Sequence, residues 1–206
     1  MVFPTPAYLN DPLDVSIPYL YHKAIAEASD LPIIAFQLGP IFGGINFTAD
    51  ALTKLLELPQ IIGLKDASFD AQRFLLTRDI VHQADHPVTM ITGNDNFLLE
   101  SFLMGAKGGL LGYAAVGVGL LVELLQAVQN KAFDQAVFMQ GRVQGFSDYI
   151  YGKPIGDYRA RCKVALVSMG FFRPDLTFVR PPFLSLWEKE KDLAYQAVSK
   201  AGLLAV

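Results

Sequence analysis

"IIGLKDASFD", residues 61–70, is the stretch on which the fold turns. Ile61, Ile62, Gly63 and Leu64 form an apolar run that ends in a single cation, Lys65, and is followed at once by the turn-forming residues Asp66, Ser68 and Asp70. A short apolar run bounded in this way reads as a buried strand. A lysine at its carboxyl end either turns to solvent or is held inside for its chemistry.

Working outward, the same pattern repeats. Strand-like runs fall at 1–3, 32–36, 61–65, 88–92 and 108–113, and helix-like segments at 15–29, 48–58, 70–84, 96–104 and 119–130. Thr48 is an expected N-cap with Leu52, Leu55 and Leu56 as the stripe behind it, and Asp70 is an expected N-cap ahead of Phe74, Leu75, Ile80 and Val81. Strands alternating with helices of this length predict βαβ units and a parallel sheet. Strands apolar throughout suit a sheet covered on both faces or closed on itself. Past residue 131 the strands stop and helical segments continue (131–150, 157–170, 186–201). The expected division is therefore a strand-bearing part, 1–130, and a helical part, 131–206. Five strand-like runs are too few for an eight-stranded barrel, which takes about 250 residues. The choice is between an open doubly wound sheet and the later part of a barrel.

Composition narrows the function. Of 206 residues, 52% are hydrophobic and 18% charged, a globular balance with a large core. The net charge of −3 provides no basic stripe for nucleic acid. The most apolar window, 108–122, is uncharged for 15 residues, short of the roughly 20 that span a bilayer, so no membrane segment is expected. A single cysteine, Cys162, and the lack of a basic leader in residues 1–20 fit a soluble, cytoplasmic protein. Zinc chemistry is not expected from His82 and His86, since no Glu follows His82 and Pro87 follows His86. No dinucleotide or P-loop fingerprint is present. Neither metal nor organic cofactor is expected.

Lys65 and its surroundings resemble the Schiff-base lysine strand of the dihydrodipicolinate synthase / N-acetylneuraminate lyase family. Other segments follow in the family's order: "TPAYLNDP" (5–12), "KAIAEASDLPII" (23–34), "GNDNFLLESFLMGAKGGLLG" (93–112) and "VALVSMGFF…VRPPF" (164–183). The resemblance covers essentially the whole chain, but only the family's second half. It implies an α/β fold, a (β/α)8 TIM barrel lacking here its first three to four βα units, with C-terminal helices beyond. The family's Gly-Thr-Thr-Gly loop for the substrate carboxylate falls in the missing part. Met1 stands where an internal methionine of a fuller chain would fall, from which a misplaced start or a divided gene is expected.

The resemblance implies a class I lyase or aldolase, making or breaking a carbon–carbon or carbon–oxygen bond of pyruvate or another 2-oxo acid. An apolar barrel interior disfavours the ammonium and so activates Lys65 as a neutral amine. Tyr8 resembles a tyrosine that joins the proton relay from a neighbouring subunit; otherwise it is a loop aromatic packed on a helix. The tyrosine that ends the family's fifth strand falls at Phe36 here, which has no O–H to relay a proton. Phe36 and Gln37 are expected to line the pocket. Leu110 and Gly112 would bring backbone close to the substrate, tight strand packing being the alternative. Gly93, Asn94 and Asp95 would meet polar substrate groups, although capping the next helix is the more economical account for Asn94 or Asp95. A partial parallel sheet would leave edge strands unpaired, so association, as a homo-oligomer or with a completing partner, is expected. The competing function is a non-catalytic barrel acting as a binding or assembly partner.

Overall fold

The computed structural model describes residues 1–5 and 14–204. They divide into two compact units, residues 1–111 and 112–206.

In the first unit, helices α1 (Ser16–Ala28), α2 (Ala49–Leu55), α3 (Ala71–Val81) and α4 (Leu98–Leu103) alternate with strands β1 (Ile33–Leu38), β2 (Ile61–Ala67), β3 (Thr89–Thr92) and β4 (Gly108–Gly109). All strand pairs are parallel and the order is β1-β2-β3-β4. On the far side of β1, Val2 makes a parallel bridge to Ala35. Each strand is laid beside its predecessor without the reversal of order that marks a doubly wound sheet. Both expected caps are present: Thr48 Oγ1 accepts from Ala51 N at 3.2 Å, and Asp70 Oδ1 accepts from Gln72 N at 2.8 Å and Arg73 N at 3.2 Å. Phe47, Leu52, Leu55, Ile61, Leu64, Phe74 and Leu98 are fully buried and make the core of this unit.

Two expected strands are shorter than read. The run at 1–3 contributes only the Val2 bridge, and that at 108–113 pairs only through Gly108–Gly109, with Leu110 N donating to Thr92 O at 2.9 Å before the chain leaves the sheet. Two adjacent glycines bring no side chains to pack, which weakens a strand.

The second unit contains α5 (Ala114–Gln129), α6 (Phe133–Ile150), α7 (Tyr158–Ser168) and α8 (Trp187–Lys200). Helix α5 starts earlier than its apolar spacing predicts and is interrupted at Gly117, with φ −138° and ψ 28°. It packs on α6. The Arg161 guanidinium is buried; it pairs with Glu190 of α8 at 3.0 Å and donates to the carbonyls of Gly152 (2.6 Å), Lys153 and Pro154 (3.2 Å each). One cation thereby ties the 152–154 turn to α7 and α8. Among the described residues no helix is long and apolar enough to cross a membrane.

Candidate functional site

Lys65 lies two residues before the end of β2 and is only 8% exposed. Its neighbour across the ladder is Phe36 of β1, in parallel register, and the Nζ sits 4.1 Å from the centre of the Phe36 ring. Phe3 meets that ring edge-on at 5.0 Å. On the other side, Gly93 follows β3, and a β-carbon there would lie 2.5 Å from Lys65 Cε and 2.9 Å from the Ala67 β-carbon. The lysine stem thus runs through space that a side chain at 93 would take. Burial pushes the Lys65 amine below its ordinary value of 10.5, while the negative charge of Asp95 pulls it partly back. The result is an amine that gives up its proton more readily than a free lysine does, set beside an aromatic face.

The opposite face of the same strands is polar. Asp66 is fully buried, and its carboxylate accepts from Gln37 Nε2, from Ser68 N (3.1 Å) and Ser68 Oγ (2.8 Å), and from Asn94 Nδ2 (2.9 Å). Gln37 Nε2 also donates to Thr77 Oγ1 of α3 at 2.7 Å. Asn94 is equally committed: Nδ2 donates to the Asp66 carbonyl at 3.0 Å, and Oδ1 accepts from Phe69 N at 2.7 Å. Successive strand residues face opposite ways, so Gln37 shares the face of Asp66 while Phe36 shares that of Lys65. Gln37 therefore does not line the Lys65 pocket as the sequence led us to expect. Asn94 joins strand ends, its amide bonded to Asp66 and to the Phe69 N–H.

The chain matches the dihydrodipicolinate synthetase family over residues 6–201, nearly its whole length. It belongs to that family. The 4-hydroxy-tetrahydrodipicolinate synthase of Thioalkalivibrio sulfidiphilus is 28% identical over 198 residues, covering 95% of this chain and 63% of the relative. Dihydrodipicolinate synthase from Bacteroides thetaiotaomicron superposes with a TM-score of 0.81 at 23% identity, over 95% of this chain and 64% of that one. The chloride-inhibited dihydrodipicolinate synthase from Acinetobacter baumannii, solved complexed with pyruvate, superposes with a TM-score of 0.76 at 26% identity, over 90% and 60%. The chain thus spans 60–64% of the length of these relatives. The α/β architecture of parallel sheet and flanking helices is that of the dihydrodipicolinate synthases.

Within this dihydrodipicolinate synthetase-family chain, Lys65, Phe36 and Gly93 are brought together and Gln37 and Asn94 are not. The Leu110 side chain is half exposed, while its N–H continues the ladder on β3. Gly112 belongs to the helical unit, where a β-carbon would collide with the Tyr151 hydroxyl; its lack of a side chain serves packing. Tyr8 lies outside the described residues. His86 is occupied by the Leu56 carbonyl at 3.0 Å. Sequence reasoning missed Asp66, for which strand alternation was the available signal, and the charge of Asp95 at Lys65. It also missed Phe69, whose φ of +60° a glycine would have advertised. The helical unit has its own cavity of about 490 Å³, lined by Arg159, Lys163 and Arg180 together with Asp157, Val179 and Phe183.

Proposed function

We propose that this chain is a Schiff-base-forming lyase or aldolase acting on pyruvate or a related 2-oxo acid, with Lys65 as the nucleophile. The observation that carries this reading is the buried lysine near the carboxyl end of a parallel strand, its ammonium disfavoured by burial. Active sites of barrels form at that end of the strands. We further propose that residues 1–130 supply the fourth to eighth strands of a (β/α)8 barrel and residues 131–206 its C-terminal helices, and that the working particle is a homo-oligomer. The Acinetobacter baumannii relative, solved complexed with pyruvate, supports the choice of acid.

In this scheme the neutral Lys65 amine adds to the 2-oxo carbon, and loss of water gives a protonated imine. The cation draws electrons from the adjacent carbon, so that a proton or a carbon fragment leaves it and an enamine remains. Reprotonation and hydrolysis return the acid and the free amine. Phe36 shields the imine from water and steadies the cation through its ring face. It takes no part in proton transfer.

One observation favours the second reading, a non-catalytic binding or assembly partner. Where the family resemblance leads one to expect a hydroxyl for proton relay, the group 4.1 Å from Nζ is a phenyl ring. The test separates the two. Protein mixed with pyruvate and borohydride is digested, and the peptide carrying Lys65 is weighed, with circular dichroism as the control for folding. A reduced adduct on Lys65, absent from Lys65→Met, is the expected result. A folded chain giving no adduct with pyruvate or other short 2-oxo acids would favour the second reading.

A further inference from the structure

We propose that Phe42 and Phe69 form the wall against which the second, aldehyde substrate lies, and that this aldehyde carries an aromatic group in place of a charge. The inference rests on the Schiff-base reading of Lys65 and names the partner of the enamine formed there.

Phe42 follows β1 and Phe69 follows β2, the two strands that hold Phe36 and Lys65 side by side. Both rings are therefore on the loops at the carboxyl ends of those strands, where ligands of parallel sheets bind. The rings are half-buried and in contact, with centroids 4.7 Å apart at 45°. Half-burial leaves each with aromatic surface to offer.

Phe69 is kept there against its backbone preference. Its φ of +60° belongs to the left-handed region, where a bulky residue is an outlier and glycine fits freely. Two amides fix it: Asn94 Oδ1 accepts the Phe69 N–H at 2.7 Å, and Asn96 Nδ2 donates to the Phe69 carbonyl at 3.2 Å. A glycine would satisfy the same hydrogen bonds without strain, so what the phenylalanine adds is its ring. Strain maintained by surrounding hydrogen bonds at the edge of a candidate site points to a role for the strained residue.

The charges on these loops are already committed. The segment 39–44, "GPIFGG", has none; in 66–70, "DASFD", Asp66 is bound in the network beneath the sheet and Asp70 caps α3. Neither loop supplies a cation to pair with a carboxylate or phosphate on the second substrate. What they present is two phenyl faces, which recognise another ring by stacking and by excluding water.

The reaction balances as follows. The enamine carbon of Lys65-bound pyruvate attacks the aldehyde carbon and forms the C–C bond. The carbonyl electron pair moves to the aldehyde oxygen, which takes a proton. Water then hydrolyses the imine, releasing a 4-hydroxy-2-oxo acid and the Lys65 amine. Cleavage is the reverse.

Pyruvate is presented with benzaldehyde, acetaldehyde or succinic semialdehyde, and the product of each is followed by chromatography. Wild type is expected to favour benzaldehyde at least tenfold in kcat/KM over both others. Phe69→Gly and Phe42→Ala should each lower the benzaldehyde value at least tenfold more than the acetaldehyde value. Phe69→Gly suits the backbone, so its fold, checked by circular dichroism, should persist. A preference for the anionic aldehyde, or equal losses for benzaldehyde and acetaldehyde in both variants, overturns the proposal while a borohydride adduct on wild-type Lys65 leaves the Schiff-base reading standing. Absence of that adduct overturns both.

Discussion

Gly93 and Lys65 share one space: a β-carbon on the glycine would stand 2.5 Å from Cε of the lysine. No ordinary carbon–carbon contact is that short, and the Ala67 β-carbon at 2.9 Å closes the other way out. In Gly93→Ala the lysine stem must therefore swing from its place beside Phe36. Overpacking of this kind destabilises by about 1–3 kcal/mol. Adduct formation with pyruvate and borohydride should fall more than tenfold while circular dichroism stays native. Wild-type trapping rates in Gly93→Ala would show that the Lys65 position is not fixed by this contact.

The depressed Lys65 amine makes two pH predictions. Imine formation should rise with pH through a midpoint below the ordinary lysine value of 10.5, because only the neutral amine attacks. Asp95→Asn removes the charge that pulls the amine upward, so the midpoint should move lower still. For stability the sign follows from proton counts. In the window between the lowered value and 10.5 the unfolded chain holds more protons than the folded one, so stability rises with pH there. Lys65→Met should accordingly be more stable than wild type near neutral pH, and that gain should shrink as pH approaches 10.5. Urea melts at several pH values give the measurement, and a gain independent of pH would contradict it.

Much of this was legible from local chemistry. Thr48 and Asp70 are caps because short side-chain oxygens satisfy the orphan N–H groups of a helix start, a rule confined to a few residues of chain. Lys65 was legible because a cation that ends an apolar run is unusual and because "IIGLKDASFD" resembles a family segment. What escaped depended on pairing across distance. Alternation puts Phe36 and Gln37 on opposite faces, but only the register Phe36↔Lys65 tells which of them stands beside the lysine. Asn94 read as a substrate contact or a cap because its partners, Asp66 and Phe69, lie more than twenty residues away. The left-handed turn at Phe69 was hidden because the usual signal for one, glycine, is not there.

Asp66 holds the strand ends together from beneath the site. Its carboxylate receives Gln37, the Ser68 backbone and hydroxyl, and Asn94, all in a buried setting. Asp66→Ala strands several buried donors at about 1–3 kcal/mol each, and relaxation absorbs only part of that. The expected loss is about 3 kcal/mol or more, with adduct formation at Lys65 falling as its strand loosens. Asp66→Asn keeps one acceptor and should lose roughly half as much. Equilibrium urea unfolding of both variants makes the comparison, and equal losses would mean that packing, rather than acceptance of hydrogen bonds, is what Asp66 provides.

His22 sets a limit on the acid side. It is fully buried in α1; Nδ1 lies 2.7 Å from the Pro18 carbonyl, which fixes the proton on that nitrogen, and the other nitrogen, Nε2, is buried without a hydrogen-bond partner among the described residues. The Phe47 ring stands 6.3 Å away, edge to face. A second proton would place a charge on Nε2 with no acceptor for it among the described residues. Burial therefore pushes the imidazole below its ordinary value of 6.5, the Pro18 carbonyl opposing only in part. Below pH 6.5 the unfolded chain takes up a proton that the folded chain resists, so stability must fall as pH drops through this range. The urea midpoint of wild type should decline from pH 7 to pH 5, and His22→Gln, which has nothing to titrate, should show a flatter profile over the same interval. A decline of equal steepness in the variant would assign the acid sensitivity to other groups.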